Sequence, residues 1–347
     1  MVATVYHADL AEAQADPVLA ALLGRSPTST PFDRLDWLSL LADMCLPGAK
    51  CVIAVARDGD AVAALPLCCT AEGFAPLGTW YSFFVRPVCN DTDRAPALLA
   101  ALARSMAPAG AARLTPMPER EAQALATAFR ASGWIGTLEP CDTNYILELN
   151  GRSFDAYWAA RPGALRETVR RKGGKGIVSL RIETTFSEAD WNAYEAIYAR
   201  SWKPEEGNPA FLCAFAMAEA EAGALRMGVA EIDGEPVAAQ FWTVEGGTAW
   251  IHKLAHDEAS RKHSPGTLLS AALFRHVIDV DRVRTVDFGT GDNPYKRDWM
   301  EAARPRYALA FYRPAAISQW PQLAKLAARR VLKRRRAAHL VSRQSAV

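Results

Sequence analysis

The sequence contains no apolar run approaching the roughly 20 residues that a membrane-spanning helix needs, so no bilayer-crossing segment is expected. It has no Cys-x-x-Cys pair and no Cys/His cluster at ligand spacing, which argues against a structural zinc site or a dithiol redox centre. Its seven cysteines (Cys45, Cys51, Cys68, Cys69, Cys89, Cys141, Cys213) are odd in number and lie mostly in apolar runs. They read as buried free thiols in a reducing compartment. The N-terminal stretch MVATVYHADLAEAQ lacks a positive segment followed by an apolar one, so no signal peptide is expected and a cytoplasmic location is the default. Helix-turn-helix, zinc-finger and aromatic RNA-reading signatures are missing too, and nucleic acid is not expected as a partner. Acidic residues stop at Glu301.

That last absence reorganises the charge. The formal +2 comes from 40 Lys+Arg against 38 Asp+Glu, yet residues 302–347 hold eleven Lys+Arg and no acid. Residues 1–301 therefore carry 29 basic and 38 acidic groups, a net of −9. With 347 residues, half of them apolar, the chain is long enough for two ordinary domains, and a disordered or fibrous protein is excluded.

An internal echo organises the body: Asp58-Gly-Asp-Ala-Val-Ala-Ala64 and Asp233-Gly-Glu-Pro-Val-Ala-Ala239 both read DGxxVAA between apolar segments. Asp-Gly supplies the positive φ of tight turns, so each copy is expected to be a β-hairpin. Each follows a Trp-containing helical stretch, Phe32 to Met44 in one case, Trp191 to Trp202 with Phe211 to Ala222 in the other. Two similarly built halves follow. The first adds helices at Pro96 to Met106 and Pro118 to Ser132 and strands at Ala112 to Met117 and Asn144 to Leu149. The second adds strands at Ile177 to Thr184, Thr248 to His256 and Thr285 to Phe288. Its helices run from Ser187, an N-cap with acids in the first turn, and from Ser264 to Asp279. Mixed strand and helix order gives an α/β (α+β) class.

Two motifs concentrate chemistry. In Arg261-Lys-His-Ser-Pro-Gly-Thr-Leu-Leu269, Ser264 reads as an N-cap, Pro265 suits the first helical position, and Gly266 allows an anion to approach the unpaired N–H groups. A pyrophosphate cradle and an ordinary capped helix both fit. In Asp287-Phe-Gly-Thr-Gly-Asp-Asn-Pro-Tyr-Lys-Arg-Asp-Trp299, a strand enters a Gly-rich turn carrying Asp292, Tyr295 and Lys296. Tyr295 or Lys296 suits proton donation or charge stabilisation; a surface turn is the plainer alternative.

Taken together, and in the order hairpin, strand, Arg-x-x-Ser-Pro-Gly-x-Leu-Leu, helix, Asp-Phe-Gly-x-Gly-Asp-x-x-Tyr-Lys-x-x-Trp, these segments resemble the CelD/BcsL-type acetyltransferase family of the GNAT acyl-CoA N-acyltransferase superfamily, related to the FemAB transferases. The resemblance is strong over residues 150–315 and weak before them. It implies two tandem GNAT-like domains with mixed central sheets: a degenerate domain at 1–150, an acyltransferase domain at 151–315, and a basic tail at 316–347. It implies acyl-CoA as donor, no metal, and a cradle formed by Arg261, Lys262, His263, Ser264, Pro265, Gly266 and Thr267, with Ser264 replacing the middle glycine of the superfamily loop. Tyr295 stands where the superfamily keeps its acid. Lys253, Asp257, Asp292 and Lys296 also fit the family pattern. A base is needed because only a neutral amine attacks. Strict alternation puts Trp250, His252, Leu254 and His256 on one strand face, and His252 is the first choice as base, against the plainer reading of a hydrogen-bonded core residue.

Arg170, Arg171 and Lys172 in the basic stretch 161–175 are candidates for holding an anionic acceptor or the donor's phosphates, with a solvated helix face as the alternative. Trp202, Gln240, Asp257 and Asp287 complete the candidate substrate contacts. The tail places Trp320, Leu323, Ala327 and Val331 at helical spacing among basic residues, the pattern of a helix lying on an anionic membrane. The combined expectation is a peripheral-membrane N-acyltransferase whose acceptor is a lipid amine, such as a sphingoid base giving a ceramide-type product, or an envelope amino sugar. A FemAB-like aminoacyl-tRNA-dependent transferase and a non-catalytic accessory protein of envelope polysaccharide synthesis are the alternatives.

Overall fold

In the computed structural model, residues 3–329, 331 and 332 are described. Their strands are β1 (Thr4–Ala8), β2 (Lys50–Asp58), β3 (Ala61–Thr70), β4 (Gly73–Pro76), β5 (Val88–Cys89), β6 (Ala111–Pro118), β7 (Ile135–Glu148), β8 (Val178–Glu183), β9 (Leu225–Ile232), β10 (Glu235–Glu245), β11 (Thr248–His256), β12 (Thr285–Thr290) and β13 (Ala302–Tyr312). They form one mixed sheet in the order β1-β2-β3-β4-β6-β13-β7-β12-β11-β10-β9-β8, with β5 alongside β3. Each half contributes four antiparallel strands and then a parallel one: β6 beside β4, β12 beside β11. The expected α+β class is observed, and the two mixed sheets run into one another. They join by exchange: β13, late in the chain, pairs with β6 of the first half, whereas β7, from the first half, pairs with β12 of the second. β7 and β13 pair with each other from Ile135↔Tyr312 to Ile146↔Ala302.

The repeated heptads do form hairpins, offset by one residue. The first turns at Gly59-Asp60, between paired Asp58 and Ala61; the second turns at Asp233-Gly234, both at positive φ, between Ile232 and Glu235. A register shift between Pro236 and Ala238 absorbs the offset. Helix ends follow their caps, as where Ser187 accepts from the Asp190 N–H to open Glu188–Ala199. The expected helix at Phe32 to Met44 is instead a 3-10 turn, Pro31–Asp33, and a helix, Leu35–Cys45, separated by Arg34. Cys141 is exposed and only Cys68 is fully buried, so the cysteines are less buried than expected.

One sheet face carries a core common to both halves, in which Trp37 meets Phe32, Phe211 and Phe215 edge-on. Arg34, 2% exposed, locks the same face by pairing with Glu219 of helix Pro209–Glu221 and Glu245 of β10, which Arg25 also bridges. On the other face, helices Ala95–Ser105 and Glu119–Ala131 cover the first half, and Phe154–Ala159 and Pro265–Arg275 cover the second. Beyond β4, the loop at residues 77–87 buries Leu77, Tyr81, Phe83, Phe84 and Val85 and runs beside β6, with the Val85 N–H donating to the Pro116 carbonyl at 2.8 Å. Residues 320–329 are helical, but the side chains meeting the body are Leu323 and Leu326, packed against Tyr312 and Ala111; Trp320 is 58% exposed. The remaining tail cations from Lys333 onward lie outside the described residues.

Candidate active site

β11 and β12 run together for three residue pairs, Thr248↔Thr285 to Trp250↔Asp287, and then part. β12 is steered away by Gly289 and Gly291, at φ +67° and +97°, which lead into the short helix Pro294–Trp299. A Cβ on Gly289 would also meet the Phe83 ring at 3.0 Å, so the turn needs glycine twice over. β11 bulges at His252: Trp242 pairs with Ile251, and Phe241 with Lys253. A bulge resets which face later residues point to. His252 and Lys253 therefore both face the shared aromatic core, while Leu254 joins Ala249 and Ile251 on the opposite face. The strict alternation expected from sequence fails here.

The gap between the strands opens to both faces of the sheet. On the side of helix Pro265–Arg275 lies a cavity of about 570 Å³, lined by Arg261, Ser264, Pro265, Gly266, Thr267 and Gln240, among others. Ser264 is the N-cap, but it sits in the left-handed region (φ 55°) and its hydroxyl makes no capping bond, unlike the expected cap. The first-turn amides of this helix are thus not claimed by a side chain, and the helix dipole adds positive potential there. Gln240 is saturated, donating to the Gly266 carbonyl (3.0 Å) and Ser270 Oγ (2.8 Å) while accepting from Trp242 Nε1 (3.0 Å). It holds the helix start in place instead of offering itself to a substrate. Lys262 and His263 do not line the cavity; the Lys262 carbonyl accepts from Lys172 Nζ, tying the turn to helix Gly163–Gly173.

On the opposite side a cavity of about 340 Å³ is lined by Trp80, Tyr81, Phe83, Lys203, Lys253 and Lys296, among others, with no carboxylate in its wall. Tyr295, Trp202, Leu254 and Phe288 border both cavities and so mark their junction. The Tyr295 ring stands edge-on to Phe288 at 5.6 Å, burial pushes its hydroxyl up to about 12, and among the described residues nothing hydrogen-bonds that hydroxyl. It stays protonated at any physiological pH. Lys253 lies over Trp80 at 4.3 Å and Tyr81 at 4.9 Å and pairs with Glu206 at 2.8 Å; burial lowers its pKa against the pull of Glu206. Lys296 donates to the Thr290 carbonyl at 2.6 Å, and burial lowers it to about 8. Burial, with the Lys253 charge second, also lowers Lys203 to about 8.

His252 accepts or donates with Thr243 Oγ1 at 2.9 Å and is ringed by Phe32, Phe83, Phe215 and Phe241. Burial depresses it to about 3, too weak a base to take a proton near neutral pH. It is a wall residue. Other expected site residues fall outside both cavities. Asp287 is buried beside Arg306 and accepts from Asn144 and the Gly289 N–H. Asp292 faces solvent, bonded by Tyr145 and Arg297, which lower its pKa. Asp257 caps the turn Glu258–His263, and Arg170 and Arg171 point to solvent. Sequence reasoning missed Trp80, Tyr81, Phe83, Lys203 and Glu206; the aromatic run Trp80-Tyr-Ser-Phe-Phe84 was the available signal for three of them. Among the described residues no cluster of His, Cys, Asp or Glu is arranged to hold a metal.

Residues 162–297 match the family model described as an acetyltransferase (GNAT) domain. No curated protein sequence matches the chain. Among solved structures it is similar to FemX, at 10% identity and a TM-score of 0.62 over 91% of this chain and 99% of that one. It is also similar to the C-terminal domain of a putative lysylphosphatidylglycerol synthetase from Agrobacterium fabrum (12% identity, TM-score 0.57, 87% of this chain and 92% of that one). L-PGS from Bacillus licheniformis matches at 13% identity and a TM-score of 0.50, over 89% and 98%. At such identities the likeness is one of fold.

Proposed function

We propose that the protein is an N-acyltransferase that takes an acyl group from a pantetheine thioester, as in acyl-CoA, and passes it to an amine. The observation that carries this reading is the two-sided cleft: a helix start with unclaimed N–H groups on one face, an aromatic cavity on the other, and Tyr295 where they meet. The donor's pyrophosphate fits the N–H groups of Gly266 and Thr267 with Arg261 at the rim, and its pantetheine arm reaches between β11 and β12. The amine nitrogen attacks the thioester carbonyl carbon, the C–S bond breaks, and the departing sulfur takes its proton from Tyr295. The amine's own proton goes to solvent, and solvent returns one to Tyr295. Lys203 and Lys296, both near 8, indicate what these surroundings do to an amine: burial favours its neutral, nucleophilic form. Activity is accordingly expected to rise with pH to a plateau above about 8.

A lipid amine of sphingoid-base type or an envelope amino sugar remains the proposed acceptor, and contact of the basic tail with an anionic membrane the proposed location. The exposed Trp320, on the same helical stretch as Lys325 and Arg329, supports the latter; among the described residues no helix is long and apolar enough to cross a membrane. The fold likeness to FemX keeps an aminoacyl donor as the second reading. Calorimetric titration with acyl-CoAs of increasing chain length tests the donor: binding is expected, and no heat at any length overturns the reading. Tyr295→Phe should lower kcat by about 10²- to 10⁴-fold with donor affinity unchanged; full turnover would remove Tyr295 as the acid.

A further inference from the structure

The cradle Arg261–Thr267 adjoins a much larger positive surface than a nucleotide requires. Helix Gly163–Gly173 packs beside helix Pro265–Arg275, with Gly173 close to Leu268, and Lys172 is bonded to the carbonyl of Lys262. Arg170, Arg171, Lys175, Arg261 and Lys262 are exposed on this ridge, with Lys172 half-buried between them. Two acids accompany them: Glu167, paired with Arg170, and Glu258, 3.8 Å from Arg261. The eleven-residue helix spans roughly 16 Å. Its cations fan into solvent and do not converge on a point, the arrangement for an extended acidic surface and not for a single phosphate. They stand on a body whose residues 1–301 carry a net −9, so the ridge is a local reversal of sign at the mouth of the donor cavity.

Resting on the acyltransferase reading above, we propose that this ridge docks an acidic carrier protein that presents the acyl chain on a phosphopantetheine arm, making the carrier-bound thioester the preferred donor. The chemistry is unchanged; the leaving thiol is the carrier's pantetheine sulfur instead of that of coenzyme A. A carrier's phosphopantetheine has one phosphodiester, which the helix start accommodates, and the remaining cations answer the carrier's acidic surface, steering the encounter. An RNA fits less well, because the acidic body repels a long phosphate backbone and the ridge has no exposed aromatic side chain for stacking a base. A membrane fits less well too, since the exposed Trp320 and Ile317 that would insert lie with the tail, which packs on β6 and β13.

The test uses the full chain and one acyl group, dodecanoyl, presented on a holo acyl carrier protein and on coenzyme A. The carrier form is expected to bind at least about tenfold more tightly at low salt and to lose that advantage as salt is raised. The double variant Arg171→Glu, Lys175→Glu should abolish the advantage while leaving dodecanoyl-CoA affinity within about twofold and thermal stability unchanged. Equal affinity for both donors would overturn the proposal. So would a double variant that weakens both donors alike, or one that loses binding to tRNA or to phosphatidylglycerol vesicles but keeps the carrier. Failure of both donors to bind would instead overturn the acyltransferase reading on which this rests.

Discussion

The sheet parts at two places, between β4 and β6 in the first half and between β11 and β12 in the second, and the two openings are filled differently. The first is closed by the protein's own loop, whose Val85 N–H bonds the Pro116 carbonyl of β6 while Phe83 and Phe84 fill the shared core. The second is left open as the cleft. The turns before the helices that follow differ too. Before helix Ala95–Ser105, Asp91 accepts from the N–H groups of Asp93 (2.9 Å) and Arg94 (3.0 Å) in the turn that leads into the helix. Before helix Pro265–Arg275, Asp257 caps the turn Glu258–His263 and Glu258 stands on the cavity wall, while the helix start itself presents Ser264 turned left-handed with Arg261 at the rim. One arrangement of strands thus yields a plugged half and an open half according to a loop. The plugged half still contributes to the cleft, because its loop supplies Trp80, Tyr81 and Phe83 to the wall of the cavity opposite helix Pro265–Arg275.

Several changes would break or sharpen this contrast. The largest concerns the lock between halves. Replacing Arg34 by Met leaves Glu219 and Glu245 only the partly exposed Arg25 as a cationic partner and should cost about 3 kcal/mol, read as a fall in the denaturant midpoint. An unchanged midpoint would mean the halves hold together without it. Acid comes next. His252 is held near 3 in the folded protein, against 6.5 when exposed. Between those values the unfolded chain takes up a proton that the folded one refuses, so stability falls as pH drops from about 6.5 towards 3 and is fully present above. His252→Gln should flatten the dependence of the urea midpoint between pH 7 and 4.5; an equally steep loss would place the acid sensitivity elsewhere. A third change concerns the open half. Ser264→Asp, placing a carboxylate at the helix start, should raise the dissociation constant for acyl-CoA about tenfold, some 1.4 kcal/mol. In the first half, Asp91→Ala removes the two bonds that hold the turn before helix Ala95–Ser105 and is expected to cost about 1 kcal/mol of stability and to leave donor affinity unchanged.

Much of this contrast is readable in the residues themselves. Asp-Gly turns declare both hairpins, and Ser187 and Pro265 mark helix starts, because these are local backbone preferences. The stretch from Arg261 to Trp299 concentrates the chemistry, and the structure brings Arg261, Gly266 and Tyr295 to one cleft. What stayed hidden is non-local or depends on one residue's conformation. Strand β13 carries no turn signal that would reveal its pairing with β6 across almost 200 residues of chain. The bulge at His252 arises from its pairing with β10, and it alone moves Lys253 to the face of Trp80 and Tyr81. Desolvation by the tertiary fold decides His252 and Lys203 in the same way: a histidine in a strand reads as a base until four aromatic rings desolvate it, and a loop lysine reads as surface until the fold closes around it.

The most direct test of the account follows backbone amide hydrogen exchange on adding saturating acyl-CoA. The account predicts protection concentrated at residues 264–270 and 288–296, with residues 91–99 unchanged. Protection at 91–99, or none at 264–270 when acyl-CoA is bound, would contradict it.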